Sequence, residues 1–131
     1  MSGNHTDMRT PMAKVRGLGS AREGTGHFWQ QRVTGIALVP LTLFFVGFLV
    51  CMNGADYASV RSALGHPVTT LVFAVMLVSG LIHMRLGMQV IIEDYVHGEG
   101  AKLSLLILNT FFTIAVGVVS VFALAKLSFG G

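Results

Sequence analysis

The chain has 131 residues, of which 53% are hydrophobic and only 11% charged. A soluble domain covers its surface with about 25% charged residues, so this composition excludes an ordinary water-soluble enzyme and makes lipid the expected solvent. The formal net charge is +3, and five of the nine basic residues (Arg9, Lys14, Arg16, Arg22 and Arg32) precede the first apolar run; that placement suits the cytoplasmic side of a membrane, and no interleaving of aromatic and basic residues marks a nucleic-acid surface.

Residues 1–26 are rich in Gly, Ser, Thr and charge, and they read as a polar N-terminal tail. Arg16-Gly17-Leu18-Gly19-Ser20 and Glu23-Gly24-Thr25-Gly26 are poor helix formers. Residues 27–131 read as a three-helix membrane domain with spans at about 33–55, 68–92 and 103–125, each long enough for the roughly 20 apolar residues that cross a bilayer core. The first run starts behind a long polar lead and exceeds the length of a signal-peptide core, so no cleavable signal peptide is expected. His27, Phe28 and Trp29 sit where an aromatic belt belongs, and Pro40 lies inside the first span. The single cysteine, Cys51, permits no internal disulfide and is expected to be a small buried hydrophobe. Tyr57–Leu64 is compatible with a short interfacial helix, broken by Gly65-His66-Pro67, and Glu93 to Lys102 reads as a polar connection.

The fold class is therefore an all-α membrane protein with three transmembrane helices. Lys102 falls on the same side as the N-terminal basic residues, while Arg61 and Lys126 fall on the other. The positive-inside rule then puts the N-terminus in the cytoplasm and the C-terminus on the opposite side. Three helices without a soluble domain make a poor catalyst alone, so packing with a partner is expected.

The chemistry concentrates in the second span, Leu81 to Tyr95, where polar groups at membrane depth ask for a reason. Gly80 and Gly87 share the helical face of His83. Small residues beside an inward histidine admit a flat group such as a porphyrin, whose iron histidine often holds. The same pattern also describes a close helix–helix contact with the imidazole hydrogen-bonded across it. His5, His27, His66 and His97 all lie away from the depth of His83, so a bis-histidine haem would need its second ligand from another chain. Asp94 returns to nearly the face of His83 about 16 Å along the axis, with Tyr95 adjacent. A phenol and a carboxylate at the membrane surface supply a donor and a proton route for a quinone carbonyl; they also describe an ordinary belt aromatic beside charges that end a span. Arg85 points roughly opposite His83 and is assigned no ligand. Arg32, at the start of the first span, suits either a propionate clamp or a positive-inside anchor.

His83, Gly87, Met88, Gln89, Asp94 and Tyr95 together resemble the signature of the small membrane anchor of succinate dehydrogenase, His-x-x-x-Gly-Met-x-x-x-x-x-Asp-Tyr in the second of three spans. The segment Gly26 to Thr34, with Arg32 near its end, resembles the lead-in of that family's first helix, and the resemblance covers roughly Gly24 to Lys126. It implies a subunit of respiratory complex II that holds a flavoprotein and an iron-sulfur subunit at the membrane. It further implies that His83 is one axial ligand of a single haem b shared with a second anchor subunit, which supplies the other histidine. Tyr95, with Asp94 close by, is then a ubiquinone contact, and Arg32 lies near the haem propionates. The implied location is the bacterial inner membrane, ahead of the mitochondrial inner membrane. Three other readings stand beside it: a fumarate reductase anchor of the same architecture, a small proton-coupled transporter or channel subunit using His83 and Asp94 as a relay, and a structural anchor without a cofactor.

Overall fold

A computed structural model of the chain describes residues 10–16 and 23–130. The polar-tail reading of residues 1–9 and 17–22, and the terminal Gly131, lie outside the described residues. The elements are all helical: α1 (Pro11–Arg16), α2 (Glu23–Cys51), α3 (Tyr57–Gly65), α4 (Pro67–Tyr95) and α5 (Glu99–Ser128). Three of them, over Thr25–Cys51, Pro67–Tyr95 and Glu99–Ser128, are long and apolar enough to cross a membrane.

The helices outrun the apolar runs that announce them. Glu23-Gly24-Thr25-Gly26, read as a poor helix former, is the first turn of α2. Once a long helix exists, each further residue adds one hydrogen bond without a new nucleus, which offsets a glycine cost of about 1 kcal/mol. At its other end α2 stops at Cys51, four residues short of the expected Ala55. Met52, Asn53 and Gly54 form a turn in which Ala55 N–H donates to the Met52 carbonyl, and Gly54 takes φ 80°, which favours glycine. Cys51, the last residue of α2, is exposed rather than buried. The expected connection from Glu93 to Lys102 shrinks to Val96-His97-Gly98, since Glu93, Asp94 and Tyr95 continue α4 and Glu99 already starts α5.

Capping explains the ends. The Asp56 carboxylate accepts from the Ser59 side chain and backbone, which starts α3 and holds the Asp56 carboxyl below its ordinary range. Pro67 occupies the first turn of α4, where its missing N–H costs nothing. The last turn of α4 contains no basic residue and two acids, an unfavourable pairing with the helix dipole. Lys102 of α5 relieves it by donating from Nζ to the Glu93 carbonyl at 2.9 Å.

Helix α4 is the centre of the arrangement. It packs against α2 on one side and α5 on the other, while α2 and α5 do not touch among the described residues. Near the α3 end, Phe73 of α4 meets Phe44, Phe45 and Phe48 of α2 edge-on, with ring centroids 5.2–6.0 Å apart. On the α5 side, Asn109 Nδ2 donates to the Arg85 carbonyl at 3.0 Å, and a Cβ on Gly117 would stand 3.2 Å from Leu81 Cδ1. Helix α3 folds back on α4 and α5, and Thr70 donates to the Leu64 carbonyl to hold that corner. Hydroxyls within the spans, such as those of Thr110 and Thr113, donate to carbonyls one turn earlier, as a water-poor environment requires. Among the described residues only Leu86 and Ile92 are buried hydrophobics, so the row of helices leaves most of its apolar surface for lipid or another chain to cover.

Two glycines at tight contacts should respond differently to a methyl group. A Cβ on Gly65 would lie 3.2 Å from the Leu127 backbone carbonyl, whereas the neighbour of Gly117 is the end of a flexible side chain. Gly65→Ala should destabilise the protein by about 1–3 kcal/mol, and Gly117→Ala should be milder. Comparing the thermal unfolding of both variants in detergent checks this; equal stability would contradict the close α3–α5 approach.

Candidate functional site

The most constrained polar side chain in the spans is His83. It projects from α4 onto one turn of α2. Its Nδ1 lies 3.2 Å from the Gln31 carbonyl oxygen and 3.3 Å from Thr34 Oγ1. A carbonyl can only accept, so Nδ1 carries the proton and donates. The Thr34 hydroxyl donates to the Gln30 carbonyl at 2.6 Å, which leaves an oxygen lone pair as the second acceptor for Nδ1–H. In the neutral imidazole Nε2 then keeps its lone pair, and it makes no hydrogen bond among the described residues.

The approach is close because α2 presents Gly35 at that level. A Cβ there would stand 3.2 Å from His83 Cε1 and 3.6 Å from Nδ1. The glycines on α4 face the same helix at ordinary contact distances. A Cβ on Gly80 would meet Leu38 of α2 at 3.9 Å, and one on Gly87 would meet Gln31 Nε2 at 3.4 Å. Of the two readings of the Gly80-His83-Gly87 face, the structure realises the helix–helix contact with an imidazole hydrogen-bonded across it. Ligation through Nε2 is compatible with this seat, because the bond made by Nδ1 is the kind that orients a metal-binding histidine.

Toward the N-terminal end of α2, a groove of about 490 Å³ opens between α2 and α4. His27, Gln31 and Arg32 line it from α2, and Gln89 and Glu93 line it from α4. The Arg32 guanidinium carbon lies 5.2 Å from the centroid of the Phe28 ring, a cation–π contact that holds the charge at this end of the helix. Gln89 Nε2 donates to Glu93 Oε1 at 2.8 Å along one face of α4. Gln31 Oε1 is buried without a partner, so the groove retains an acceptor to satisfy.

Asp94 and Tyr95 are not brought to His83. Both are exposed at the end of α4, and Tyr95 retains 77% of its surface. Arg85 is exposed on α4. His27, His66 and His97 are exposed at the helix ends, and His5 lies outside the described residues. No group of three His, Cys, Asp or Glu side chains that could hold a metal ion occurs among the described residues.

Sequence reasoning finds His83, Arg32, Asp94 and Tyr95 but not the Gln31–Gly35 turn that holds the histidine. The signal for that turn was a glutamine, a threonine and a glycine at three- and one-residue steps near the start of an apolar run.

The geometry makes a specific expectation about the imidazole. Nitrogen-15 NMR of the histidine-labelled chain in lipid should show His83 as the Nδ1–H tautomer with an unprotonated Nε2; the opposite tautomer would contradict the bond to the Gln31 carbonyl.

Comparison with known proteins adds the following. The family described as succinate dehydrogenase/fumarate reductase transmembrane subunit matches residues 6–124. The chain is 33% identical over 121 residues to a succinate dehydrogenase hydrophobic membrane anchor subunit of Paracoccus denitrificans, covering 92% of this chain and 93% of the relative. A protein of the same description from Rickettsia bellii is 32% identical over 119 residues, covering 88% and 95%. A succinate dehydrogenase membrane anchor subunit of Reclinomonas americana is 32% identical over 85 residues, covering 63% and 71%.

Proposed function

The chain belongs to the succinate dehydrogenase/fumarate reductase transmembrane subunit family, and from that premise we propose that it anchors succinate dehydrogenase in the membrane while contributing half of a haem site and part of a ubiquinone site. It is a multi-pass membrane protein and a membrane anchor subunit of the respiratory-chain complex. We place it in the bacterial inner membrane, with the N-terminus cytoplasmic because Arg9, Lys14, Arg16, Arg22 and Arg32 precede the first span. On that side it would meet the iron-sulfur and flavoprotein subunits.

The observation that carries the haem assignment is the state of His83. Its Nδ1–H is held by the Gln31 carbonyl, and its Nε2 lone pair is uncommitted among the described residues. That is the chemistry an axial ligand needs. A haem bound there would supply a one-electron redox centre within the membrane. His83 would be one axial ligand, and a histidine of the second anchor subunit the other. Arg32, the residue after Gln31 and part of the same groove lining, would hold a propionate.

Tyr95 is free to donate its hydroxyl to a ubiquinone carbonyl brought by a neighbouring subunit, because its ring is exposed at the end of α4. The donated hydrogen bond draws electron density toward the carbonyl oxygen and favours its reduction. The Asp94 carboxylate beside it gives a proton a place to arrive from water.

The same architecture serves fumarate reduction, and the quinone's potential rather than the anchor sets the direction. A proton relay through the chain is disfavoured by what lies beyond His83. Between Pro67 and Ile82 α4 carries no titratable group, and α5 carries none from Leu103 to Ala125.

Two measurements test the assignment. Purified complex should show a b-type haem absorption that disappears in His83→Ala, and an unchanged spectrum would sink the ligation. Tyr95→Phe should retain the haem and succinate oxidation with an artificial acceptor. It should lower ubiquinone reduction about tenfold, the effect of losing one hydrogen bond of roughly 1.4 kcal/mol; full quinone reduction would contradict its role.

A further inference from the structure

We infer that Thr34 and Gly35 are positioning residues that set the electron-donating strength and the placement of the His83 imidazole, an inference that rests on the reading of His83 as an axial ligand. Three parts of one α2 turn converge on the ring. The Gln31 carbonyl at 3.2 Å fixes which nitrogen carries the proton. Thr34 Oγ1 at 3.3 Å offers that proton a second acceptor. The hydroxyl's own proton is directed to the Gln30 carbonyl at 2.6 Å, so the oxygen that faces Nδ1 is a lone pair and not a competing donor. Gly35 sets how near the ring may come, since any Cβ there would stand 3.2 Å from Cε1.

Each part has a separate chemical consequence. Sharing the Nδ1 proton with two oxygens makes the imidazole more basic at Nε2, and a more basic ligand favours the oxidised metal. In a water-poor span no solvent replaces a lost acceptor, so the hydroxyl matters more than its length in water would suggest. A distance of 3.2 Å from a Cβ is tighter than ordinary contact, so a side chain at position 35 must push the ring away from α2. The Gln31 carbonyl belongs to the backbone and survives any substitution, whereas Thr34 and Gly35 are contributions of the sequence.

The test uses the whole complex purified in mild detergent, with two readouts: haem content from the reduced-minus-oxidised absorption, and the haem midpoint potential from redox titration. Thr34→Val preserves shape and removes the acceptor. It should retain the haem and shift the midpoint potential upward, and Thr34→Ser should restore the original potential. Gly35→Ala should lower haem content in complex that still contains all its subunits. Identical potentials in wild type, Thr34→Val and Thr34→Ser, together with full haem content in Gly35→Ala, would overturn the inference. His83→Ala separates the two levels. Haem retained in that variant defeats the ligation reading itself, whereas haem lost there with silent Thr34 and Gly35 variants defeats only the positioning roles.

Discussion

A ring nitrogen inside the hydrocarbon layer has no water to bond, and it must find its partner in protein. The bond from His83 Nδ1–H to the Gln31 carbonyl meets that requirement, and much of the architecture follows from it. The carbonyl of a regular helix already accepts from the N–H four residues on, and its second lone pair meets a side chain of another helix only if that helix comes very near. Gly35 allows that approach between α2 and α4, and the Phe73 cluster fixes the same pair further along. The histidine and the helix pairing are thus one device. Gly35 lets the carbonyl come within reach, and the bond in turn fixes the register of the two helices at that level.

The opposite side of α4 is arranged by weaker means. Asn109 donates to the Arg85 carbonyl, and Gly117 admits Leu81. Because α2 and α5 do not close on each other, the three spans form a row with α4 exposed along two seams. In lipid there is no hydrophobic gain from pressing apolar helices together, so packing and interhelical hydrogen bonds must hold the row. Such an open row suits a chain that is half of a larger helix assembly, and the pronounced exposure of its aromatic and aliphatic side chains agrees with that.

The existence and order of the three spans were legible because unbroken apolar runs of that length have one interpretation. Their ends were not. Composition marks where lipid begins, while a helix continues until a cap or a turn stops it, so α2 takes in Glu23 to Gly26 and α4 takes in Glu93 to Tyr95. Within the site, His83 was conspicuous because a titratable residue in a span is costly. Its seat was not, because the angle between successive residues says which residues share a face of α4 but not which helix that face meets. Gly80 and Gly87 therefore fitted two readings, the helix contact being the more ordinary of them, and only the position of α2 shows which helix their face meets. Thr34 and Gly35 were hidden for a related reason: a threonine and a glycine in an apolar helix have many ordinary uses, and theirs depends on a residue 49 positions away.

The two ends of α4's chemistry follow opposite logic, and the difference is one of depth. At His83 the chain commits one nitrogen internally and leaves the other uncommitted among the described residues, because a half-buried imidazole that rotated freely would have no defined tautomer to offer. At Tyr95 no such fixing is built in; the phenol stands exposed where water can satisfy it until something displaces that water. A group near the surface can wait solvated, whereas a group in the hydrocarbon has to be held in its working state from the start. The sequence of α4 follows that gradient, with small residues and a facing carbonyl around His83 and bare polar side chains at Asp94 and Tyr95. It explains why one helix can hold an imidazole in a fixed state within the span and leave a phenol and a carboxylate solvated at its end.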